Sequence, residues 1–274
     1  MRLATVRREG GTCAARAEDG QAVLLDFPDV AAVLATAEGW RGAGSSAGER
    51  VPEATLEFAP LVPRPGKIIC VGLNYRGHIE ESGAATPAFP TLFAKFSTSL
   101  VGATDPIVIP PVSEKVDWEV ELVVVIGSAA HQVDEAGAAD AIAGFTVGND
   151  ISARDFQART SQWLQGKTFD SSTPVGPWLL TVDEVGAAPD LEIRCEVDGD
   201  VRQLSRTSDL LFGPAEIVSY ISQIVTLEPG DLIFTGTPSG VGQSRTPPVF
   251  LQPGQTVTTS IEKIGSLVNP CVAG

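Results

Sequence analysis

Short runs of Val and Ile, each closed by Pro or Gly, constrain this chain more than any other feature. KIICVG, DPIVIP, VDWEVELVVVIG and DLIFTG have apolar stretches too short for a buried helix and are bounded by turn formers, so they read as strands. With 28 Gly and 20 Pro in 274 residues, the connections between strands are many and tight. A β-rich α+β fold is expected, on a chain long enough to bury a substantial core.

The chain divides by pattern into a small N-terminal subdomain, residues 1–60, and a larger catalytic domain, residues 61–274. In the first, ATVRR and QAVLLDF read as strands, Asp29 caps a short helix through AAVLATAEGW, and RGAGSSAGERVPEA reads as a linker. In the second, helices are expected on DEAGAADAIAG, capped by Asp134, and on PAEIVSYISQIV. GKTFDSSTPVGPWLLT reads as turn-rich, and LEIRCEV and VRQLSRT form a hairpin around DGD. No repeat of fixed period is present.

Charge and composition remove whole classes of function. Thirty-four acidic against 19 basic residues give a net charge of −15, which repels nucleic acid and anionic membrane. No stretch approaches the roughly 20 apolar residues of a membrane span, and MRLATVRREGG lacks a signal-peptide core; a soluble, cytoplasmic protein is expected. Cys13, Cys70, Cys195 and Cys271 are scattered without metal-ligand spacing and are expected to be reduced, mostly buried thiols.

A candidate site begins in VDWEVELVVVIG. Alternation along a strand points Glu119 and Glu121 the same way, with Val123 and Val125 continuing that face into apolar territory. Like charges so close call for a cation between them, although two solvent-facing glutamates on an edge strand would read the same. Asp150, in GND, offers a third carboxylate 29 residues after Glu121. An all-oxygen set without His or Cys suits Mg²⁺ or Mn²⁺, with Ca²⁺ less well served by three protein ligands. Of the two histidines, His131 lies in a loop and reads as a solvated bystander. His78 has Glu81 three residues on, which on a helical turn makes a His–carboxylate pair able to activate water. H-x-x-E also occurs by chance in many helices.

VGLNYRGHIEE, VDWEVELVVVIG, GNDISARDFQ, GKTFDSSTPVGPW and GDLIFTGTPSGVG, in this order, resemble the fumarylacetoacetate hydrolase family over roughly residues 60–270. The resemblance implies a mixed β-sandwich roll with flanking helices, usually a homodimer, binding Mg²⁺ or Mn²⁺ through Glu119, Glu121 and Asp150. It implies a catalytic His78–Glu81 pair on a mobile segment, an active-site Lys167, pocket-lining Arg154 and Gln157, and a substrate-carboxylate contact at Thr237. Taken alone, Lys167 supplies a point charge for an anionic intermediate or is an ordinary surface lysine. Arg154 clamps a carboxylate or merely pairs with Asp155. TGTPSGVG lacks the Lys-Ser/Thr of a phosphate loop, and its backbone N–H groups either face an anion or form a plain turn.

The expected activity is divalent-metal-dependent hydrolysis of a C–C bond in a small anionic 2-oxo acid of the acylpyruvate type, such as fumarylpyruvate or acetylpyruvate, through an enolate held at the cation. Oxaloacetate decarboxylation and hydroxymuconate-type isomerisation pass through the same kind of enolate, so the triad does not choose between them; the dyad tilts the choice toward hydrolysis. Two readings of other classes stand further off. A two-metal phosphoesterase would need a second set of ligands, and a non-enzymatic metal-binding member would show no turnover.

Overall fold

The computed structural model describes all 274 residues. Its architecture is the β-rich α+β arrangement expected, built around one large mixed sheet and a smaller one packed against it. In spatial order the large sheet runs Arg50–Pro52, Gln21–Leu24, Gly11–Glu18, Arg2–Arg8, Thr173–Thr181, Ile142–Asn149, Val120–Ile126, Leu232–Phe234, Ile68–Gly72 and Thr91–Ala94, with Leu100–Val101 pairing beside Thr173–Thr181. The second sheet runs Asp200–Arg206, Glu192–Val197, Thr256–Ile261, Gly265–Ala273 and Ile107–Ile109. No helix is long and apolar enough to cross a membrane.

Val120–Ile126 lies between Ile142–Asn149 and Leu232–Phe234, and every residue of it is buried. Its apolar residues alternate between two cores, as strand periodicity requires: Val120, Leu122, Val124 and Ile126 pack on the second-sheet side, Val123 and Val125 with Leu3, Cys70 and Phe234 on the other. The edge-strand alternative for Glu119 and Glu121 is thereby overturned. These residues enter a central strand buried on both faces, which explains its unbroken valine run.

Several local expectations hold in shortened form. Asp29 accepts a hydrogen bond from Ala32 N and caps Val30–Leu34; Asp134 accepts from Gly137 N and caps Glu135–Ala141. The helix on Pro214–Ser222 packs against the latter. The DGD hairpin turns through Asp198 and Gly199 at positive φ, the pair a two-residue turn requires.

The first sixty residues extend the large sheet, Arg2 and Leu3 pairing with Leu180 and Leu179. Other expectations are corrected. The stretch expected as a linker carries regular structure at both ends: Gly39–Ala43 is helical and Arg50–Pro52 pairs with Gln21–Leu24. TPVGPWLLT, expected as turns, is a nine-residue buried strand. Pro177 is tolerated because the pairing with Ile142–Asn149 shifts register beside Gly176, so the ladder is already broken where that proline lacks its N–H, while Pro174 lies near the strand start beside Val101. All four cysteines are free, and burial pushes the Cys70, Cys195 and Cys271 thiols up.

Candidate active site

The strand Ile68–Gly72 leads into a bend at Leu73, which sits at φ 55°, and then into a helix, Arg76–Ser82. Buried Asn74 pins the bend: its Nδ2 donates to the carbonyls of Phe212 and Thr235, and its Oδ1 accepts from Phe212 N. Arg76 donates to the carbonyls of Asp209 and Leu210, and the Asp209 carboxylate accepts from Gly77 N. The helix is therefore docked by its first turn. On it His78 Nδ1 lies 3.0 Å from Glu81 Oε2, the i, i+3 pair read from the sequence.

Glu119 and Asp150 are tied to one another by backbone, Asp150 N donating to the Glu119 carbonyl at 2.8 Å. Asn149 completes the knot, accepting from Glu119 N and donating to Thr259 of the second sheet. Glu121 receives Gly236 N at 2.7 Å; Gly236 stands at φ 100°, and a Cβ there would press on Asn74 and the Val71 carbonyl. One carboxylate oxygen from each of Glu119, Glu121 and Asp150 lies within 4.8 Å of the others, and all three residues are buried.

Three cations enclose these acids. Lys167 Nζ donates to Glu119 Oε2 and Asp150 Oδ2, both at 2.7 Å. Lys95 Nζ, equally buried, donates to Asp150 Oδ1 at 2.6 Å. Arg154 pairs through Nη1 with Glu119 at 2.6 Å and through Nε with Asp117 at 2.8 Å, and also donates to Gln157 Oε1. The Asp155 pairing considered for Arg154 does not form; Asp155 accepts from Ser113 instead.

Four buried carboxylates against three cations leave one negative charge over, and Glu121 is the acid with no hydrogen-bonded cation. Burial would raise the Glu119 carboxyl, but Lys167 and Arg154 outweigh it and hold it down at about 2. Glu121 goes the other way: burial, then Asp150 and Glu119, push it well above the usual carboxylate range. Burial would lower the Lys167 ammonium, yet Asp150 and Glu119 prevail and raise it, so it stays charged. The donor set is all oxygen, and a divalent cation would relieve the excess charge on Glu121. The triad thus fits a hard ion.

Seven of the nine residues singled out in the sequence line one cavity of about 120 Å³: His78, Glu119, Glu121, Arg154, Gln157, Lys167 and Thr237. Glu81 lies behind His78, and Asp150 lies beneath Lys167. Thr237 Oγ1 accepts from Gln203 Nε2, whose own Oε1 receives Val120 N. Phe93 and Trp163, edge to face at 5.5 Å, close one side. His131 is exposed and apart, touching Thr226, as expected of a bystander.

Sequence reasoning missed Lys95, Asp117, Asn149 and Gln203. Asp117 carried a signal, since it shares the strand parity of Glu119 and Glu121. Lys95 carried none: a single lysine at the end of TLFAK reads as solvent-facing until Asp150 is known to lie over it.

Residues 67–272 match the family model described as fumarylacetoacetate (FAA) hydrolase C-terminal. An oxaloacetate tautomerase of Rattus norvegicus, Fahd2a, mitochondrial, is 46% identical over 223 residues, 81% of this chain and 71% of that protein. A 5-carboxymethyl-2-hydroxymuconate delta-isomerase from Mycobacterium smegmatis superposes with TM-score 0.82 at 36% identity, over 100% of this chain and 99% of that one. A fumarylacetoacetate hydrolase from Exiguobacterium antarcticum does so with TM-score 0.88 at 31% identity, over 100% of both chains. On the match over most of its length and the acidic triad it carries, the chain belongs to the fumarylacetoacetate hydrolase family, whose members include hydrolases, isomerases and tautomerases.

Proposed function

We propose that this protein moves a proton at the carbon next to the keto group of a small 2-oxo dicarboxylic acid, interconverting keto and enol forms of an oxaloacetate-like substrate. The observation that carries the reading is that His78, oriented by Glu81, opens on the same small cavity as Glu119 and Glu121 of the triad. A volume of about 120 Å³ is well below the roughly 300–1,000 Å³ of pockets for drug-sized ligands, which suits a short acid. The similarity to the rat tautomerase supports the same substrate class.

A Mg²⁺ or Mn²⁺ ion held by Glu119, Glu121 and Asp150 would supply Lewis-acid polarisation of the 2-oxo acid. The chain's own groups do the rest. In the neutral imidazole that donates Nδ1–H to Glu81, Nε2 carries the lone pair and takes the proton from the carbon alpha to the ketone. The C–H electrons become the C–C double bond of the enolate, and the imidazolium returns the proton to the enolate oxygen through one water. Arg154 Nη2 is buried and has no hydrogen-bond partner, so it is free to receive a substrate carboxylate. Lys167, kept cationic by Glu119 and Asp150, balances charge as the enolate forms. Phe93 and Trp163 keep bulk water from that side.

Hydrolysis of an acylpyruvate C–C bond, the sequence expectation, becomes the second reading. It is favoured by the same His78 Nε2, which can as readily take a proton from water; the size of the cavity counts against the longer fumarylpyruvate but not against acetylpyruvate, which is no larger than oxaloacetate. The functional unit is proposed to be a homodimer; a monomer in sedimentation would contradict this.

The test is a side-by-side assay of purified protein with Mg²⁺ or Mn²⁺ on enol-oxaloacetate, acetylpyruvate, fumarylpyruvate and a hydroxymuconate analogue. Faster decay of the enol, without release of pyruvate and reduced roughly 100-fold in His78→Ala, supports the proposal. Cleavage of acylpyruvates with the enol decaying no faster than in buffer establishes the second reading instead.

A further inference from the structure

Glu81 makes two bonds, and only one of them belongs to the dyad. Its Oε2 meets His78, while its Oε1 accepts Gly240 N at 2.9 Å. That N–H and the Gly240 carbonyl belong to adjacent peptide planes that meet at the Gly240 Cα, so contacts on the second plane restrict the first. There the Gly240 carbonyl accepts both Trp118 Nε1 and Arg245 Nη2, each at 3.2 Å. Arg245 Nη2 also donates to the Arg202 carbonyl at 2.7 Å. Gly240 itself stands at φ 101°, and a Cβ there would lie 2.2 Å from that same Arg202 carbonyl. The loop is thus tightly held, and no side chain can be added at its apex.

Arg245 makes no ion pair with any carboxylate. Its guanidinium lies 5.9 Å from the centroid of the Trp118 ring and spends its hydrogen bonds on backbone carbonyls, with Nε buried and unpartnered. Trp118, fully buried, is the residue between Asp117, which anchors Arg154, and Glu119 of the triad. A covalent neighbour of the metal-ligand candidate therefore holds the loop that holds the dyad carboxylate.

We propose that Trp118 and Arg245 are positioning residues for the His78–Glu81 pair, acting through the Gly240 backbone. By fixing the Gly240 N–H on Glu81 Oε1 they leave Oε2 to accept from His78 Nδ1, and so present the Nε2 lone pair to the cavity. The proposal rests on the reading of His78 as the base, and its test separates the two.

The readout is the tautomer of His78 in the intact, Mg²⁺-loaded chain, followed by ¹⁵N NMR of imidazole-labelled protein. With only two histidines, His131→Asn assigns the spectrum. Trp118→Phe keeps an aromatic ring and removes the donor; Arg245→Met removes the charge and both bonds, and Arg245→Lys is the conservative rescue. Trp118→Phe and Arg245→Met should shift His78 from the Nδ1–H tautomer toward a mixture, as Glu81→Gln does, with kcat down roughly tenfold and KM little changed. Combined with Glu81→Gln they should cost nothing further. A folded Trp118→Phe protein whose His78 tautomer is unmoved, or whose kcat loss multiplies with that of Glu81→Gln, overturns the proposal. If His78→Ala retains full turnover the base reading fails, and the tautomer measurement still decides the positioning role.

Discussion

Replacing Glu121 by Gln should stabilise the metal-free protein and at the same time remove its response to metal. The carboxylate is 1% exposed, receives one hydrogen bond from Gly236 N, and is opposed by Asp150 and Glu119. The isosteric amide keeps the Gly236 bond through its oxygen and turns an NH₂ toward the triad oxygens, which lie within 4.8 Å. One hydrogen bond to a charged acceptor is gained and a like-charge repulsion is relieved, about 1.5 kcal/mol in favour of the variant. At roughly 2–4 °C per kcal/mol for a chain of this size, that raises Tm without metal by about 3–6 °C. The wild type should gain about 2.7 kcal/mol at an ion concentration 100 times Kd, hence roughly 5–11 °C. The curves therefore cross: the Glu121→Gln variant melts higher in EDTA, the wild type higher in Mg²⁺.

The pH dependence has a definite sign. Folded Glu121 holds its proton above the ordinary value of 4.5, whereas the unfolded chain releases it there. Metal-free wild type loses stability as pH rises from 4.5 through the raised folded value, and the variant's advantage grows over that window and vanishes below it. Thermal melts at several pH values with EDTA or Mg²⁺ provide the measurement. A Glu121→Gln protein that melts below wild type in EDTA at neutral pH, or that responds equally to the ion, refutes the reasoning.

Glu119 titrates in the opposite sense. Held at about 2, it stabilises the fold above 4.5 and loses that contribution as pH falls from 4.5 toward 2. Glu119→Gln, by leaving Lys167 and Arg154 short of a buried partner, should cost about 3–5 kcal/mol at neutral pH and flatten the acid limb, read from urea titrations at successive pH values. Gly144→Ala places a Cβ 2.1 Å from the Leu180 carbonyl in the neighbouring strand; a loss of about 1–3 kcal/mol in urea melts is expected, and an unchanged midpoint would mean the sheet yields there. Arg154→Lys cannot bridge Asp117, Glu119 and Gln157 together, so KM should rise roughly tenfold with a smaller effect on kcat in steady-state assays.

The site was legible to the extent that its geometry is local. His78 and Glu81 are one helical turn apart, and Glu119 and Glu121 share a strand face, so backbone periodicity alone brings each pair together. Asp150 was read as a third oxygen ligand from GND, and the order of five motifs brought in Arg154, Gln157, Lys167 and Thr237 by resemblance. Lys95 and Gln203 were illegible because their partners, Asp150 and Thr237, are 55 and 34 residues away, and a lone polar residue in a strand carries no mark of what will cover it. The strand Thr173–Thr181 was misread because Pro177, in its middle, is admissible only beside a register shift, a property of the neighbouring strand.

By itself the sequence determined that this is a β-rich chain, that its acids fall on one face of a strand, and that its one useful histidine has a carboxylate beside it; these follow from repeat distances of two and about 3.6 residues. Only the tertiary structure decided which acid lacks a counter-ion, how small the cavity is, and which loop holds the dyad. Those are matters of charge counting, volume and hydrogen bonding among residues far apart in the chain, and they exist only once the sheets close around them.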